Sequence, residues 1–218
     1  MICIDFRNLN KVSMKDNYPL TKMDHILQKV ARAERISMME GFSRYNQIKV
    51  LPEDQEKTNF TTPCGTFMYA KMPFGLMNAG DTFQRTMDIA FAGEIGKFVV
   101  IYMDDITVYS RYDREHIHHL EKVFIKCRKF GISLNPKKSN FGLEEGKLLG
   151  HIISKDGIKI DPDRVSAILK VGEPRTKKEI QSFLGQVNFL RRFIPSFVEI
   201  LMNITNMLKK GHEIKWTT

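Results

Sequence analysis

Residues 98–110 read FVVIYMDDITVYS, and the reading of this stretch decides the fold. Phe98 to Tyr102 and Ile106 to Tyr109 are rich in β-forming residues, and Met103-Asp104-Asp105 is the only polar interruption, which reads as a tight hairpin between two mostly buried strands. Asp104 and Asp105 then sit at the turn. Neighbouring side chains on extended backbone point to opposite faces, but at a turn both can reach one site, where like charges repel unless a proton or cation lies between them. A divalent metal is one way to satisfy them. A water-bathed turn is another, because Asp is an ordinary turn residue, and the dipeptide alone leaves both readings open.

The rest of the chain sets bounds. With 218 residues, 42% apolar and 27% charged, it is long enough for one globular unit with a sizeable core, or for a few subdomains sharing one, and is not a disordered tail. Lys and Arg number 34 against 25 acids, and the net charge of +9 favours a polyanionic partner. Asp5 and Arg7 interrupt the only apolar stretch near Met1, and no run approaches a membrane span, so the expectation is a soluble, intracellular protein with no membrane partner. Cys3, Cys64 and Cys127 are odd in number and widely spaced, which supports neither a disulfide framework nor a zinc motif and leaves three free thiols.

An extended start, Ile2 to Phe6, leads through a turn at Pro19 into a helix over Lys22 to Val30, where Met23, Ile26, Leu27 and Val30 recur at helical spacing. Loops surround Pro63, Gly65, Pro73 and Gly75. Ala79 to Phe91 is helical, with Phe83, Met87 and Ala90 on one face. His116 to Lys129 reads as an amphipathic helix with Ile117, Leu120, Phe124 and Cys127 inward, closed by Gly131. His116, His118 and His119 straddle several of its faces with no matching carboxylate pattern, so they read as solvated residues rather than metal ligands. Thr176 and Glu179 form a capping box, and Ile180, Phe183, Leu184, Val187, Leu190 and Ile194 continue a helix that Pro195 ends. Lys126 to Ser139 carries five basic residues and no acid, which raises the nucleic-acid reading.

Seven blocks in order now resemble one family: CIDFRNLN (3–10), GFSRYNQIKV (41–50), MPFGLMNAGDTFQ (72–84), YMDD (102–105), LNPKKSNF (134–141), LLGHIIS (148–154) and SFLGQVNFLRRFI (182–194). Together they resemble the reverse transcriptase of gypsy-class LTR retrotransposons. The resemblance implies an α+β right-hand polymerase with an antiparallel palm sheet. Residues 1–157 would be partial fingers (about 1–13 and 50–73) and palm (about 14–49 and 74–157), and 158–218 the start of the thumb or connection, with no ribonuclease H or integrase region.

The implied activity is RNA-directed DNA polymerisation, in which a primer 3′-hydroxyl attacks the α-phosphate of a deoxynucleoside triphosphate on an RNA or DNA template. Two Mg²⁺ or Mn²⁺ ions about 3.5–4 Å apart serve that reaction, and carboxylates are their natural ligands. By resemblance Asp104, Asp105 and Glu40 are the catalytic, metal-binding acids. Tyr45, Phe74, Gly75, Lys137 and Lys138 would bind the nucleotide, Leu149, Gly150 and His151 the primer, and Arg191 and Arg192 the template duplex. Three departures stand out. Glu40 occupies the position of the family's first metal-binding aspartate, Arg44 stands where the family has glycine and is read as crowding the nucleotide, and a fingers lysine and arginine would fall at or before Met1. The alternative they raise is a catalytically decayed or repurposed remnant that keeps the fold and binds nucleic acid. The implied location is the cytoplasm, a virus-like particle or the nucleus.

Overall fold

The computed structural model describes residues 3–209, 214 and 216. The helices, in chain order, are α1 (Arg7–Val12), α2 (Met23–Val30), α3 (Pro52–Gln55), α4 (Ala79–Ala90), α5 (His116–Phe130), α6 (Pro162–Leu169), α7 (Lys177–Val187), α8 (Phe197–Ile200) and α9 (Met202–Asn206). The strands are β1 (Arg35–Glu40), β2 (Phe60–Thr62), β3 (Gly65–Phe67), β4 (Val99–Tyr102), β5 (Asp105–Ser110), β6 (Asn140–Leu143), β7 (Glu145–Leu148), β8 (His151–Ser154) and β9 (Gly157–Ile160). They form a four-stranded sheet ordered β4-β5-β1-β6, a β2-β3 hairpin and a β7-β8-β9 sheet. The chain divides into two compact units, Met1–Leu149 with Ile153–Ile158, and Gly150–Ile152 with Lys159–Thr218.

The apolar run around residue 100 has a simple cause: the four-stranded sheet is covered on both faces. Side chains alternate along a strand. Val99, Ile101, Ile106, Val108 and Met39 turn to one face and pack on Phe83, Met87, Ala90 and Phe91 of the α4 region and Val123 and Cys127 of α5. Val100, Tyr109 and Ile36 turn to the other and meet Ile26, Leu27 and Val30 of α2. A strand buried on both sides reads as continuous rather than alternating hydrophobicity. The expected hairpin is therefore present, with Tyr102 paired to Asp105 across a two-residue turn, Met103-Asp104. Asp104 lies in the turn, whereas Asp105 opens β5.

Several expectations change. Residues 3–6 form neither strand nor helix before α1, and Ile2 lies outside the described residues. The inward stripe of α5 is His116, Val123 and Cys127 with Leu120 partly buried, while Ile117 is 73% exposed and Phe124 is at the surface. Of the four residues expected inward, Leu120 and Cys127 face the core and Ile117 and Phe124 do not. Gly131 does close α5, in the left-handed conformation. The capping box of Thr176 and Glu179 is complete, but α7 ends at Val187 and Asn188–Phe193 winds as a 3₁₀ helix instead of continuing to Ile194. There Phe189 and Phe193 pack on the His151 ring, with centroids 4.4 and 5.8 Å away, and this packing accompanies the tighter winding. Cys3, Cys64 and Cys127 are free, and burial pushes the Cys127 thiol up to about 11.

The histidines of α5 are mostly not solvated. His116 is buried between Ser37 and Ser110, with Nε2 2.7 Å from Ser37 Oγ and Nδ1 2.8 Å from Ser110 Oγ. Ser110 Oγ also lies 2.7 Å from His119 Nδ1, and the His119 ring stacks on Phe98 with centroids 4.3 Å apart. His118 alone of the three is exposed. Burial lowers the pKa of both His116 and His119 below the ordinary 6.5; His119 adds to the effect on His116, and Asp113 and Glu115 oppose it. A depressed native pKa means that the stability contributed is fully present above the unfolded value of about 6.5 and is lost as pH falls through the folded value. The melting temperature should thus fall between pH 7 and pH 5, and His116→Gln, which keeps hydrogen-bonding groups without titrating, should flatten part of that fall in thermal melts.

Candidate active site

The three acids singled out in the sequence come together at one end of the four-stranded sheet. β1 and β5 pair antiparallel in a register that sets Glu40 opposite Asp105, and Asp104 occupies the adjoining turn. The turn is strained, since Met103 adopts φ 56° in the left-handed region that non-glycine residues avoid. Two hydrogen bonds hold it there. Met103 N–H donates to Gln84 Oε1 at 2.9 Å, and Gly41 N–H donates to the Asp104 carbonyl at 3.0 Å. Gln84 is buried on the apolar face of α4, where a polar residue among Phe83 and Met87 was a readable sign of such a role that the sequence reading passed over. A cleft of about 500 Å³ opens beside Glu40 and Asp105, with Lys138, Asn140, Glu145 and Lys147 among its other lining residues.

The electrostatics of the cluster differ from the sequence expectation. Beside the metal ions that the resemblance implies, two side-chain cations of the same unit stand against these carboxylates. Arg44 Nε lies 2.5 Å from Asp104 Oδ2 and 4.0 Å from Glu40 Oε1, and Lys138 Nζ lies 2.8 Å from Glu40 Oε1. Arg44, expected to crowd the nucleotide, is turned to the acids. Asp105 is open to solvent along the cleft, yet desolvation by the surrounding protein raises its carboxyl above the usual range; Asp104 and Glu40 add to this, and Arg44 and Lys138 oppose it. Among the described residues no three His, Cys, Asp or Glu side chains are grouped so as to hold a metal ion. Oxygen donors of this kind suit Mg²⁺, and in this arrangement Asp104 is paired with Arg44 and Glu40 with Lys138.

The expected nucleotide residues lie close to one another in part. Tyr45 is half-buried, its ring centroid 5.3 Å from that of Phe74 and 5.8 Å from that of Phe83. Phe74-Gly75 is tied to α1, where Asn10 Nδ2 donates to the Gly75 carbonyl at 2.8 Å and Asn10 Oδ1 accepts from Met77 N–H at 2.8 Å. Lys137 is exposed beside Lys138 on a 3₁₀ turn that Asn135 caps. Asn135 N–H also donates to the Glu40 carbonyl at 2.8 Å, which ties the lysine-bearing turn to the end of β1.

Leu149 and Gly150 form the turn between β7 and β8, with φ 50° and 75°, the sign pattern of a type I′ hairpin. A Cβ at Gly150 would stand 2.9 Å from Phe189 Cζ, so both its φ and its space require glycine. His151 is buried at the start of β8. Arg191 and Arg192 lie on the 3₁₀ segment of the second unit and are exposed.

Comparison with known proteins gives a consistent result. A family model described as reverse transcriptase (RNA-dependent DNA polymerase) matches residues 1–153. The chain is 37% identical over 213 residues to the Retrovirus-related Pol polyprotein from transposon 297 of Drosophila melanogaster, covering 98% of the chain and 20% of that protein. With the corresponding polyprotein from transposon gypsy of the same organism, identity is 36% over 209 residues, covering 95% and 20%. The Transposon Tf2-3 polyprotein of Schizosaccharomyces pombe is 32% identical over 214 residues, covering 98% and 16%. The chain therefore spans about a fifth of the length of these curated relatives.

Among solved structures, the foamy viral protease-reverse transcriptase in complex with RNA/DNA hybrid matches with a TM-score of 0.79 at 28% identity, covering 98% of this chain and 29% of that one. The same viral protein in its dRH form with double-stranded DNA matches with a TM-score of 0.86 at 28% identity, covering 98% and 38%.

Proposed function

The chain belongs to the reverse transcriptase (RNA-dependent DNA polymerase) family, and on that premise we propose that it is the polymerase segment of a retrotransposon Pol polyprotein, adding deoxynucleotides to a primer 3′-hydroxyl on an RNA or DNA template. The observation that carries this reading is the β1–β5 register, which sets Glu40 opposite Asp105 beside a cleft, with Asp104 in the adjoining turn. The comparisons do not favour the decayed-remnant alternative. In this reading the first unit comprises palm and partial fingers, and the second begins the thumb.

Each residue then has a physical task. Tyr45, wedged between Phe74 and Phe83, offers a rigid aromatic floor under the nucleotide sugar. Lys137 supplies a solvent-exposed ammonium for the triphosphate, a point charge suited to phosphate. Leu149, Gly150 and His151 shape the primer-facing hairpin, and Arg191 and Arg192 face template phosphates. Divalent ions, which the family generally uses, would supply Lewis-acid stabilisation of the transferring phosphate when bound. Glu40, Asp104 and Asp105 are the groups proposed to meet them, once freed from their present partners. The proposed setting is intracellular, in the cytoplasm, a virus-like particle or the nucleus. Among the described residues no helix is long and apolar enough to cross a membrane.

The test is a primer–template assay on the purified chain. A DNA primer on an RNA template should bind with little sequence preference and with an affinity that falls steeply between low and moderate salt, because Lys and Arg contacts to phosphate release counterions. At high Mn²⁺ the bound primer should be extended, and Asp105→Asn should abolish extension while leaving binding within about threefold, since phosphate contacts rather than this carboxylate position the duplex. Salt-independent or undetectable binding, or a bound primer extended by neither the unmodified chain nor Arg44→Gly, would overturn the proposal.

A further inference from the structure

The carboxylate cluster carries its own cations, and one of them stands at a position where the family resemblance implies a residue with no side chain. We infer that Arg44 is an internal counter-ion occupying the cation position of the Glu40, Asp104 and Asp105 cluster, so that a divalent ion enters only by displacing its guanidinium. The inference deepens the polymerase reading and rests on that reading's assignment of the three acids as the cation site.

The backbone brings Arg44 to this place. Ser43 and Arg44 have φ 56° and 45°, two successive left-handed residues neither of which is glycine. Only a glycine adopts this region without steric cost. The chain thus keeps a glycine-like turn after β1 and folds residue 44 back toward the strand it has just left. That return puts the guanidinium 2.5 Å from Asp104 and 4.0 Å from Glu40, and the contact gives a reason for the strained conformation to persist.

Charge and chemistry point the same way. Three carboxylates meet two side-chain cations, Arg44 and Lys138, which leaves one net negative charge for an incoming ion. Two dications added without moving Arg44 would make the cluster strongly positive, with like charges a few ångströms apart. Guanidinium is weakly hydrated and matches carboxylate geometry, which suits it to hold this place against the acids. Mg²⁺ gives up its water reluctantly and demands near-octahedral oxygens, which makes it a poor competitor for a carboxylate already paired. Arg44 is nevertheless 45% exposed, so its side chain has an open route to solvent and the block is displaceable.

The experiment is a Mn²⁺ titration of the full chain without nucleic acid or nucleotide, followed by the loss of the free-ion electron paramagnetic resonance signal at neutral pH and low salt. Arg44→Gly suits the left-handed backbone, and Arg44→Asn tolerates it while keeping a side chain; thermal melts verify that each variant is folded. Both variants should bind Mn²⁺ at least about tenfold more tightly than the unmodified chain, a difference of about 1.4 kcal/mol. Adding Asp104→Asn to Arg44→Gly should remove that gain. Equal affinity in the unmodified chain and whichever Arg44 variant is folded, or a gain that survives Asp104→Asn, would overturn the inference. Because no duplex is present, that result leaves the polymerase reading to be judged separately by primer binding and extension.

Discussion

Glu40→Asp combined with Arg44→Gly raises primer extension on an RNA template by at least about a hundredfold over the unmodified chain, and Asp104→Asn on that double variant returns extension to background. The first substitution withdraws a carboxylate by one methylene at the end of β1, opposite Asp105, and a misplacement of about 1 Å among reacting groups can cost about a hundredfold in rate. The second removes the guanidinium that pairs with Asp104 and relieves a left-handed arginine. Glu40→Asp also has to release Lys138, which stands 2.8 Å from the Glu40 carboxylate, so neither change alone should recover most of the rate. Single-turnover primer extension across the four chains, at saturating Mn²⁺ and with duplex binding measured in parallel, is the check. A double variant that binds duplex but extends no faster than the unmodified chain would place the limiting step elsewhere than in this cluster.

Phe91→Ala destabilises the protein by about 3–5 kcal/mol, whereas Ile117→Ala changes stability by less than about 0.5 kcal/mol. Phe91 is fully buried where the C-terminal end of α4 meets the sheet, in the cluster that contains Val99, Ile101 and Ile106 of the hairpin that bears Asp104 and Asp105. Removing its ring leaves a cavity that the close-packed layer can only partly collapse. Natural domains are stable by only about 5–15 kcal/mol, so this one change consumes a large share of that margin. Ile117, by contrast, stands 73% exposed on α5 and buries little. Urea unfolding of both variants followed by circular dichroism decides the matter. A large loss from Ile117→Ala would mean that α5 is rotated toward the phase its sequence had pointed to.

That contrast shows where local patterning stops. The period of α5 was legible, because apolar residues recur along it; its phase was not, because His116 is a polar residue that the core accepts once Ser37 and Ser110 satisfy both ring nitrogens. Ser37 is 79 residues away from His116 in sequence, and nothing local announces the pairing. The end of α7 was misjudged for a similar reason, since Phe189 and Phe193 pack on His151, a residue from an earlier strand.

The acids divide along the same line. The hairpin that bears Asp104 and Asp105 was legible in the sequence, because strand burial on both faces and a two-residue turn are encoded in neighbouring residues, whereas Glu40 was singled out only by the family resemblance. Helix caps belong to the same class: the Thr176–Glu179 box and the closing Gly131 depend on a few adjacent backbone groups. What balances the acids was decided only by tertiary structure. Arg44 reaches Asp104 across 60 residues of chain and Lys138 reaches Glu40 across 98, through a left-handed turn and a 3₁₀ turn whose placement depends on the packed sheet. Charge interactions act through space at distances of a few ångströms, so their partners are known only when the fold has brought distant segments together.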